Sequence, residues 1–224
     1  MLAIVGDGQV TGREGELAAR GSWMGPGGDG RPDIGAAVRR SPIHGFAAAD
    51  RRLFRWLGRR HHPGLDRTMP ALSRAADHGV LWLGIAALLA ASDRRDLRQA
   101  AARATMSLMI ASVTVNGVAK LLVGRVRPSL EGIATERRVR RLPVTTSFPS
   151  GHAASAAAFA VGAAREAPGT LAPLGTLAAG VGLSRVWTGA HYPADVLVGA
   201  ALGATVAAAL PRRRAAALPR RRRP

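Results

Sequence analysis

Two histidines and an aspartate are the residues of this chain whose types and spacing best suit catalysis. His191 and Asp195 are four residues apart in the segment Ser184–Asp195, SRVWTGAHYPAD, and His152 lies in the segment TSFPSGHAAS. If the chain is helical from Pro193 onward, Asp195 could hold one nitrogen of His191 while the other nitrogen attacks or moves a proton. The alternative is an interfacial loop in which Asp195 only favours a helix N-terminus.

Three basic residues accompany the imidazoles and indicate a phosphate-like substrate. Lys120 and Arg127 are seven residues apart in KLLVGRVRP, so they share a face if one helix continues through them, and Arg185 precedes His191. Arginine and lysine bind phosphate oxygens well. The chain has no Cys and no Asp/Glu cluster typical of a metal site. The charge of a transferring phosphoryl group would therefore be stabilised by these cations.

The sequence Pro149-Ser150-Gly151 stands directly before an apolar run and predicts a helix start. The backbone N–H groups of a helix N-terminus form a ready site for an anion. Gly151 has no Cβ and so permits close approach of a ligand. This start predicts hydrogen-bond donors for the same phosphate group.

The elements that must position these residues are five apolar runs rich in Ala, Leu, Val and Gly. They predict an all-α, polytopic membrane helix bundle of about five transmembrane helices, because the second run has about the 20 residues a span needs. Gly199 and Gly203 are spaced for close helix packing in lipid. The five predicted helices cover residues 79–91, 104–123, 153–164, 171–190 and 194–210.

Alternation of spans brings the polar clusters to one side of the membrane. The cluster at 120–128 ends the second predicted helix, and the cluster around Pro149–His152 begins the third helix. Segment 184–195 joins the fourth helix to the fifth. Each of these positions falls on the same face. The three clusters therefore predict a single site.

The charge pattern supports a membrane protein over a nucleic-acid binder. The net charge is +18, and the basic residues lie between the apolar runs, where loops face anionic headgroups. We predict a disordered segment 1–42, an amphipathic interfacial helix at 43–64, a membrane domain at 65–210 and a basic disordered tail at 211–224. The loop 129–148 lies on the face of the site, where it could guide lipid headgroups, although a solvated basic loop is the favoured interpretation.

The basic tail suggests an orientation in the cell membrane. Its arginines lie directly beside the last predicted span, and such clusters favour the cytoplasmic side. A cytoplasmic C-terminus would bring the polar clusters to the extracytoplasmic face.

The three clusters together resemble the type 2 phosphatidic acid phosphatase family of membrane lipid phosphate phosphatases, which includes undecaprenyl-diphosphatase-like enzymes. The motifs are Lys-x6-Arg-Pro at 120–128, Pro-Ser-Gly-His at 149–152 and Ser-Arg-x5-His-x3-Asp at 184–195. The resemblance covers about residues 65–210. Members of the family commonly have six helices, whereas this chain offers five runs and the 43–64 segment.

The resemblance implies a metal-independent phosphatase with no cofactor. By this similarity His191 is the nucleophile that forms a phosphohistidine, Asp195 orients it, and His152 protonates the leaving oxygen and then activates water. The phosphate-binding residues would be Lys120, Arg127, Ser150, Gly151, Ser184 and Arg185.

The implied substrate is a lipid phosphomonoester or diphosphate within the bilayer. Polyprenyl diphosphate, phosphatidic acid and phosphatidylglycerol phosphate all fit. Two alternatives belong to other classes: a vanadate-dependent haloperoxidase-like enzyme, whose pocket is similar, and a non-catalytic membrane protein that binds anionic lipid. The first is disfavoured by the short, apolar chain, and the second has no use for both histidines and Asp195.

Overall fold

The regular secondary structure in the described part of the chain is entirely helical. The computed structural model describes residues 42–119, 125–131, 133–138 and 146–211. These residues form seven α-helices and no strand, which confirms the all-α prediction. The predictions made for residues 1–41, Lys120 and the tail from residue 212 lie outside this part. The helices are α1 Pro42–Gly58, α2 Pro63–Ala75, α3 Val80–Ala90, α4 Arg95–Val113, α5 Gly151–Ala164, α6 Leu171–Trp187 and α7 Pro193–Ala209.

Local sequence explains where the helices near the site begin. Pro193 is the first residue of α7, where its fixed φ suits a helix and its missing N–H costs nothing. Ser150 is the N-cap of α5, and its hydroxyl accepts a hydrogen bond from the N–H of Ala153 at 3.4 Å, as a capping serine does. Between α2 and α3, His78 and Gly79 adopt φ values of 55° and 77°, so the chain turns sharply before α3.

Helix α5 is the centre of the bundle and packs against α4, α6 and α7. Most of its buried side chains are alanines, which let the neighbouring helices approach closely. Its one large buried side chain, Phe159, contacts Trp82 of α3 with ring centroids 5.1 Å apart. The helix that carries His152 is therefore held on three sides.

Helices α5 and α7 touch through their backbones. A Cβ atom at Gly203 would clash with the carbonyl of Ala154, and one at Gly199 would clash with the carbonyl of Ser150. Only glycine permits this approach. The contact brings the start of α7, with Asp195, beside the start of α5.

Large apolar side chains lie exposed on the outside of the bundle. The set includes Leu83, Leu88, Met109, Val113, Leu171 and Leu197, which are 52–76% exposed. In the ranges that the structure describes, none of the helices combines the length and apolar character needed to cross a bilayer. The number of spans stays a prediction.

The segment predicted as one interfacial helix at 43–64 forms α1 and the start of α2. Phe54 and Asp50 of α1 are buried, whereas Leu53 and Phe46 are exposed. Phe54 packs edge-on against Tyr192, with ring centroids 5.3 Å apart. Helix α1 therefore has one face on the bundle, beside the start of α7, and a second face that is open.

Candidate active site

A cavity of about 420 Å³ opens at the end of the bundle where α6 ends and α5 and α7 begin. Both predicted catalytic histidines line it, and so do two of the predicted cations. Its wall consists of Ala76, His78, Gly79, Trp82, Leu108, Ser112, Asn116, Arg127, Gly151, His152, Ser155, Arg185 and His191. The fold thus gathers residues from all three sequence clusters around one space.

His191 lies in the turn between α6 and α7 and is 2% exposed. Its Nδ1 atom lies 2.6 Å from the backbone carbonyl oxygen of Ser147. A carbonyl can only accept, so Nδ1 carries the proton and Nε2 carries the lone pair. This tautomer leaves His191 with one nitrogen free to attack.

Asp195 is near His191 but does not hold it by a hydrogen bond. Its Oδ2 atom lies 3.7 Å from Nδ1 of His191, which is too long for a hydrogen bond. Oδ2 instead accepts from the N–H of Tyr192 at 2.9 Å, and Oδ1 accepts from Arg125 at 2.6 Å. The expected role of Asp195 in orienting His191 is shared here with the Ser147 carbonyl.

His152 is paired with a carboxylate that the three motifs do not include. Its Nε2 atom donates to Oδ1 of Asp77 at 2.9 Å, and the same oxygen lies 3.5 Å from Nη1 of Arg185. Asp77 stands in the short 3₁₀ turn before α3. An acidic residue beside an apolar run was the only signal in the sequence that could have identified it.

Arg185 is a buried cation whose N–H groups are only partly hydrogen-bonded to protein atoms. It is 1% exposed, and its Nη1 atom donates to Ser73 at 2.6 Å. Its Nε atom has no hydrogen-bond partner among the described residues. A buried N–H without a partner is costly, and a phosphate oxygen in the adjoining cavity could supply that partner.

The second described cation, Arg127, lines the same cavity while holding the turn that carries His191. Its Nη1 atom donates to the carbonyl of Ala190 at 2.8 Å. Burial lowers the pKa of His191 below its ordinary 6.5, and the positive charges of Arg185 and Arg127 lower it further, against the opposing effect of Asp195. The imidazole of His191 is therefore neutral at pH 7, the form in which Nε2 can attack.

The other predicted phosphate-binding residues divide into three groups. Gly151 lines the cavity, and a Cβ there would lie 2.7 Å from Oδ1 of Asn116. Ser150 and Ser184 are fully buried and do not line it, and the hydroxyl of Ser184 donates to the carbonyl of Val181 at 2.7 Å. Lys120 lies outside the described residues. Sequence spacing alone does not tell a lining serine from one bonded to its own helix.

Part of the basic loop at 129–148 packs against the helices instead of lying in solvent. Arg137 was expected in a solvated loop but is 1% exposed, and its guanidinium donates to the carbonyl of Arg60 at 2.6 Å. It also stacks on Trp187 at 4.4 Å. These contacts fasten the loop to the end of α6 because an arginine can satisfy several carbonyls at once.

Across the described ranges, no group of three or more His, Cys, Asp or Glu side chains could hold a metal ion. The polar side chains of the cavity are instead imidazoles, guanidinium groups, an amide and two hydroxyls. Such a set suits a bound oxyanion.

Comparison with known proteins agrees with this chemistry. The family model described as "PAP2 superfamily" matches residues 101–218, more than half of the chain. The decaprenylphosphoryl-5-phosphoribose phosphatase of Mycobacterium tuberculosis is 38% identical over 144 residues, which cover 64% of this chain and 77% of that protein. The enzyme of the same name from Mycolicibacterium smegmatis is 35% identical over 137 residues, covering 61% and 72%.

Solved structures show the same fold. A transmembrane PAP2-type phosphatidylglycerolphosphate phosphatase from Bacillus subtilis superimposes with a TM-score of 0.56 at 23% identity, covering 77% of this chain and 87% of that one. Aquifex aeolicus LpxE superimposes with a TM-score of 0.54 at 25% identity, covering 70% and 91%. With the family match over most of the helical bundle, the chain belongs to the PAP2 superfamily and is a phosphatase.

Proposed function

We propose that this protein is an integral-membrane lipid phosphate phosphatase that works through a phosphohistidine intermediate on His191. The observation that carries the proposal is the 2.6 Å hydrogen bond from Nδ1 of His191 to the Ser147 carbonyl. It fixes the tautomer whose Nε2 is nucleophilic. The same cavity contains His152, Arg127 and Arg185.

In the first step, Nε2 of His191 attacks the phosphorus atom and the bond from phosphorus to the lipid oxygen breaks. For this step His152 must take up a proton, and its imidazolium form gives that proton to the leaving oxygen as the lipid alcohol departs. Asp77, bonded to Nε2 of His152 at 2.9 Å, stabilises the imidazolium. His152 would use its other nitrogen, Nδ1, for the transfer.

In the second step, His152 has lost that proton and acts as a base. It takes a proton from a water molecule whose oxygen attacks phosphorus, the bond to Nε2 of His191 breaks, and inorganic phosphate is released. His152 returns to its imidazolium form. In both steps Nδ1 of His191 keeps its proton and donates it in a hydrogen bond to the Ser147 carbonyl.

The negative charge of the transferring group would be stabilised by preorganised cations and donors. Arg185 would use its Nε atom, and Arg127 would contribute from the segment before α5. The N-terminus of α5 at Gly151 would add backbone N–H groups. We assign Lys120 to the same group on its motif spacing, and we expect no metal cofactor.

The membrane location is supported by the apolar outer surface. Leu88 and Val113 are 76% and 71% exposed, and side chains of this kind suit lipid contact. On the open face of α1, Trp56 and Leu53 accompany several arginines, as expected for a helix at an anionic bilayer surface. We propose that the site faces the extracytoplasmic side.

For the substrate we propose a phosphomonoester on a lipid-linked headgroup. The mycobacterial relatives, whose names give them a prenylphosphoryl phosphosugar, support this choice over the other candidates. Phosphatidic acid, phosphatidylglycerol phosphate and polyprenyl diphosphate remain the competitors. All four present a terminal phosphate to the same cations, so the lipid part and the headgroup decide between them.

The test is phosphate release by the purified protein in detergent with EDTA. The substrates are a polyprenylphosphoryl phosphosugar, diacylglycerol phosphate, phosphatidylglycerol phosphate and a polyprenyl diphosphate. We expect turnover in EDTA, with the highest kcat/KM on the phosphosugar lipid. A requirement for added divalent metal would contradict the mechanism, and a higher kcat/KM on another lipid would overturn the substrate choice.

The variant His191→Ala tests the nucleophile in the same assay. We expect turnover to fall by about a thousandfold or more, because nucleophile and acid–base contributions are of this order. Rapid quenching of the wild type with labelled substrate should trap acid-labile, base-stable label on the protein. Label that still forms in the variant would show that His191 is not the nucleophile.

A further inference from the structure

A charged bridge outside the cavity ties helix α1 to the catalytic turn. Arg125 donates from Nη1 to Oδ1 of Asp195 and from Nη2 to Oδ2 of Asp50, both at 2.6 Å. Asp195 and Asp50 have side-chain exposures of 0% and 4%. A planar guanidinium can hold two carboxylates at once in this way.

The same bridge holds the backbone at the start of α7. The second oxygen of Asp50 accepts from the N–H of Ala194 at 2.9 Å, although the two residues are 144 positions apart. Asp50 therefore caps α7 from another helix and satisfies an N–H that its own helix cannot. The guanidinium of Arg125 also lies over the ring of Tyr192 at 4.2 Å.

The bridge controls which group holds His191. Both oxygens of Asp195 have partners, Arg125 on Oδ1 and the N–H of Tyr192 on Oδ2. Oδ2 stays 3.7 Å from Nδ1 of His191. Without Arg125, Oδ1 of Asp195 would lose its partner, and only the N–H of Tyr192 would keep the carboxylate from turning toward the imidazole and competing with the Ser147 carbonyl for its proton.

Neither Asp50 nor Arg125 lines the cavity, and the charged atoms of both are bonded to other protein groups. Asp50 lies outside the three motifs, and Arg125 occupies an unspecified position of the first one. We propose that Asp50 and Arg125 are positioning residues that hold Asp195 and the His191 turn in the geometry for attack. The proposal rests on the proposed phosphatase mechanism and adds α1 to the parts of the chain that it needs.

Charge makes the two residues distinguishable by the pH dependence of the reaction. His191 is faced by Asp195 of α7, Arg185 of α6, His152 of α5 and Arg127 of the segment before α5. Asp50→Asn removes a negative charge behind this set, so protonation of His191 becomes harder. Arg125→Gln removes a positive charge, so protonation becomes easier.

The experiment measures kcat, KM and the pH profile of kcat/KM for Asp50→Asn and Arg125→Gln. The substrate is whichever of the four lipids of the phosphate-release assay the wild type hydrolyses fastest. We expect kcat to fall by about tenfold to a hundredfold with little change in KM, the usual size for a misaligned catalytic group. The acid limb should move to lower pH in Asp50→Asn and to higher pH in Arg125→Gln.

Two further variants separate positioning from general stability. Arg125→Lys keeps the charge but not the planar fork, so it should lower kcat while leaving the acid limb near that of the wild type. Glu166→Gln breaks another partly buried ion pair, with Arg103 at 3.0 Å, and neither of these residues lines the cavity. It should leave kcat and the acid limb unchanged.

Some results would contradict the positioning role of Asp50 and Arg125, and another would contradict the proposed function itself. Wild-type kcat in Asp50→Asn, full activity in Arg125→Lys, or acid limbs that do not separate would overturn the positioning role. An equal loss of kcat in Glu166→Gln would do the same, because it would indicate a general effect of ion-pair loss. A wild-type protein inactive on all four of these lipids would instead refute the proposed function.

Discussion

At the scale of single residues, His191 determines how the reaction should respond to acid. Its Nε2 atom must be unprotonated to attack, and burial lowers its pKa below 6.5. The attacking form is therefore lost only as the pH falls through this lowered value. We expect the acid limb of kcat/KM that belongs to the enzyme to lie below pH 6.5.

The measurement is kcat/KM against pH on a phosphomonoester and on a diphosphate lipid. The phosphate group itself titrates near pH 6, at about the second pKa of a monoester. A limb whose midpoint differs from that of the free lipid, titrated by 31P NMR, belongs to the enzyme. An enzyme limb above 6.5 would contradict a neutral, buried His191.

Asp77 should affect turnover because its carboxylate accepts a hydrogen bond from Nε2 of His152 and so stabilises the imidazolium form. In Asp77→Asn the imidazolium of His152 loses its carboxylate partner at 2.9 Å, so a smaller fraction of His152 is charged at a given pH. We expect kcat to fall about tenfold to a hundredfold and the basic limb to move to lower pH. Asp96→Asn, which removes an exposed carboxylate paired with Arg94, is the control and should change neither.

The residues of the site show what spacing can and cannot predict. The motifs predicted a single site, and His191, His152, Arg127 and Arg185 line one cavity. It also suggested that Asp195 would hold His191, but the carboxylate is taken up by Arg125 and a backbone N–H. Partners 70 residues away depend on tertiary packing, which a local pattern does not contain.

At the scale of helices, the α5–α7 contact should be the most sensitive to added volume. A methyl group at Gly203 would clash with the carbonyl of Ala154, which is backbone and cannot rotate away. We expect Gly203→Ala to destabilise the protein by about 1–3 kcal/mol, the usual cost of overpacking. Thermal unfolding in detergent, followed by circular dichroism, measures the change.

The matched control for this prediction is Gly175→Ala in α6. A Cβ there meets nothing within 4 Å, and alanine is a better helix former than glycine. Its unfolding temperature should equal or slightly exceed that of the wild type. A Gly203→Ala protein as stable as Gly175→Ala would mean that α5 and α7 are farther apart than described.

Helix boundaries were predictable where the sequence contains strong end signals. Pro193 at the start of α7 and Ser150 before α5 correspond to observed starts. The predicted helix at 43–64 instead ends at Gly58, and Pro63 begins another. Its apolar residues also face two ways, because Phe54 packs on Tyr192 while Leu53 remains exposed, a division that periodicity alone did not reveal.

At the scale of the whole molecule, the exposed apolar surface should bind the protein firmly to membranes. Side chains such as Leu88 and Leu197, 76% and 69% exposed, would be costly in water. We expect the protein to stay in the membrane pellet after an alkaline carbonate wash and to need detergent for release. Recovery in the carbonate supernatant would contradict the membrane location.

The fold class followed from the apolar runs because a sequence of this composition has few alternatives. Five Ala- and Gly-rich runs separated by basic loops predict helices, and the described residues are indeed helical. The role of α1 was not predictable in the same way. Its importance depends on Asp50 reaching Arg125 and Ala194, which lie far along the chain.

The glycine contact between α5 and α7 has one more consequence, which concerns thermal motion. The starts of these helices carry His152 and Asp195, and the N–H of Ser150 donates to the carbonyl of Asp195 at 2.9 Å. Where two backbones touch, rotamer changes of intervening side chains cannot alter the spacing between them. The distance between the helix starts that carry His152 and Asp195 should therefore fluctuate little unless this part of the protein unfolds locally.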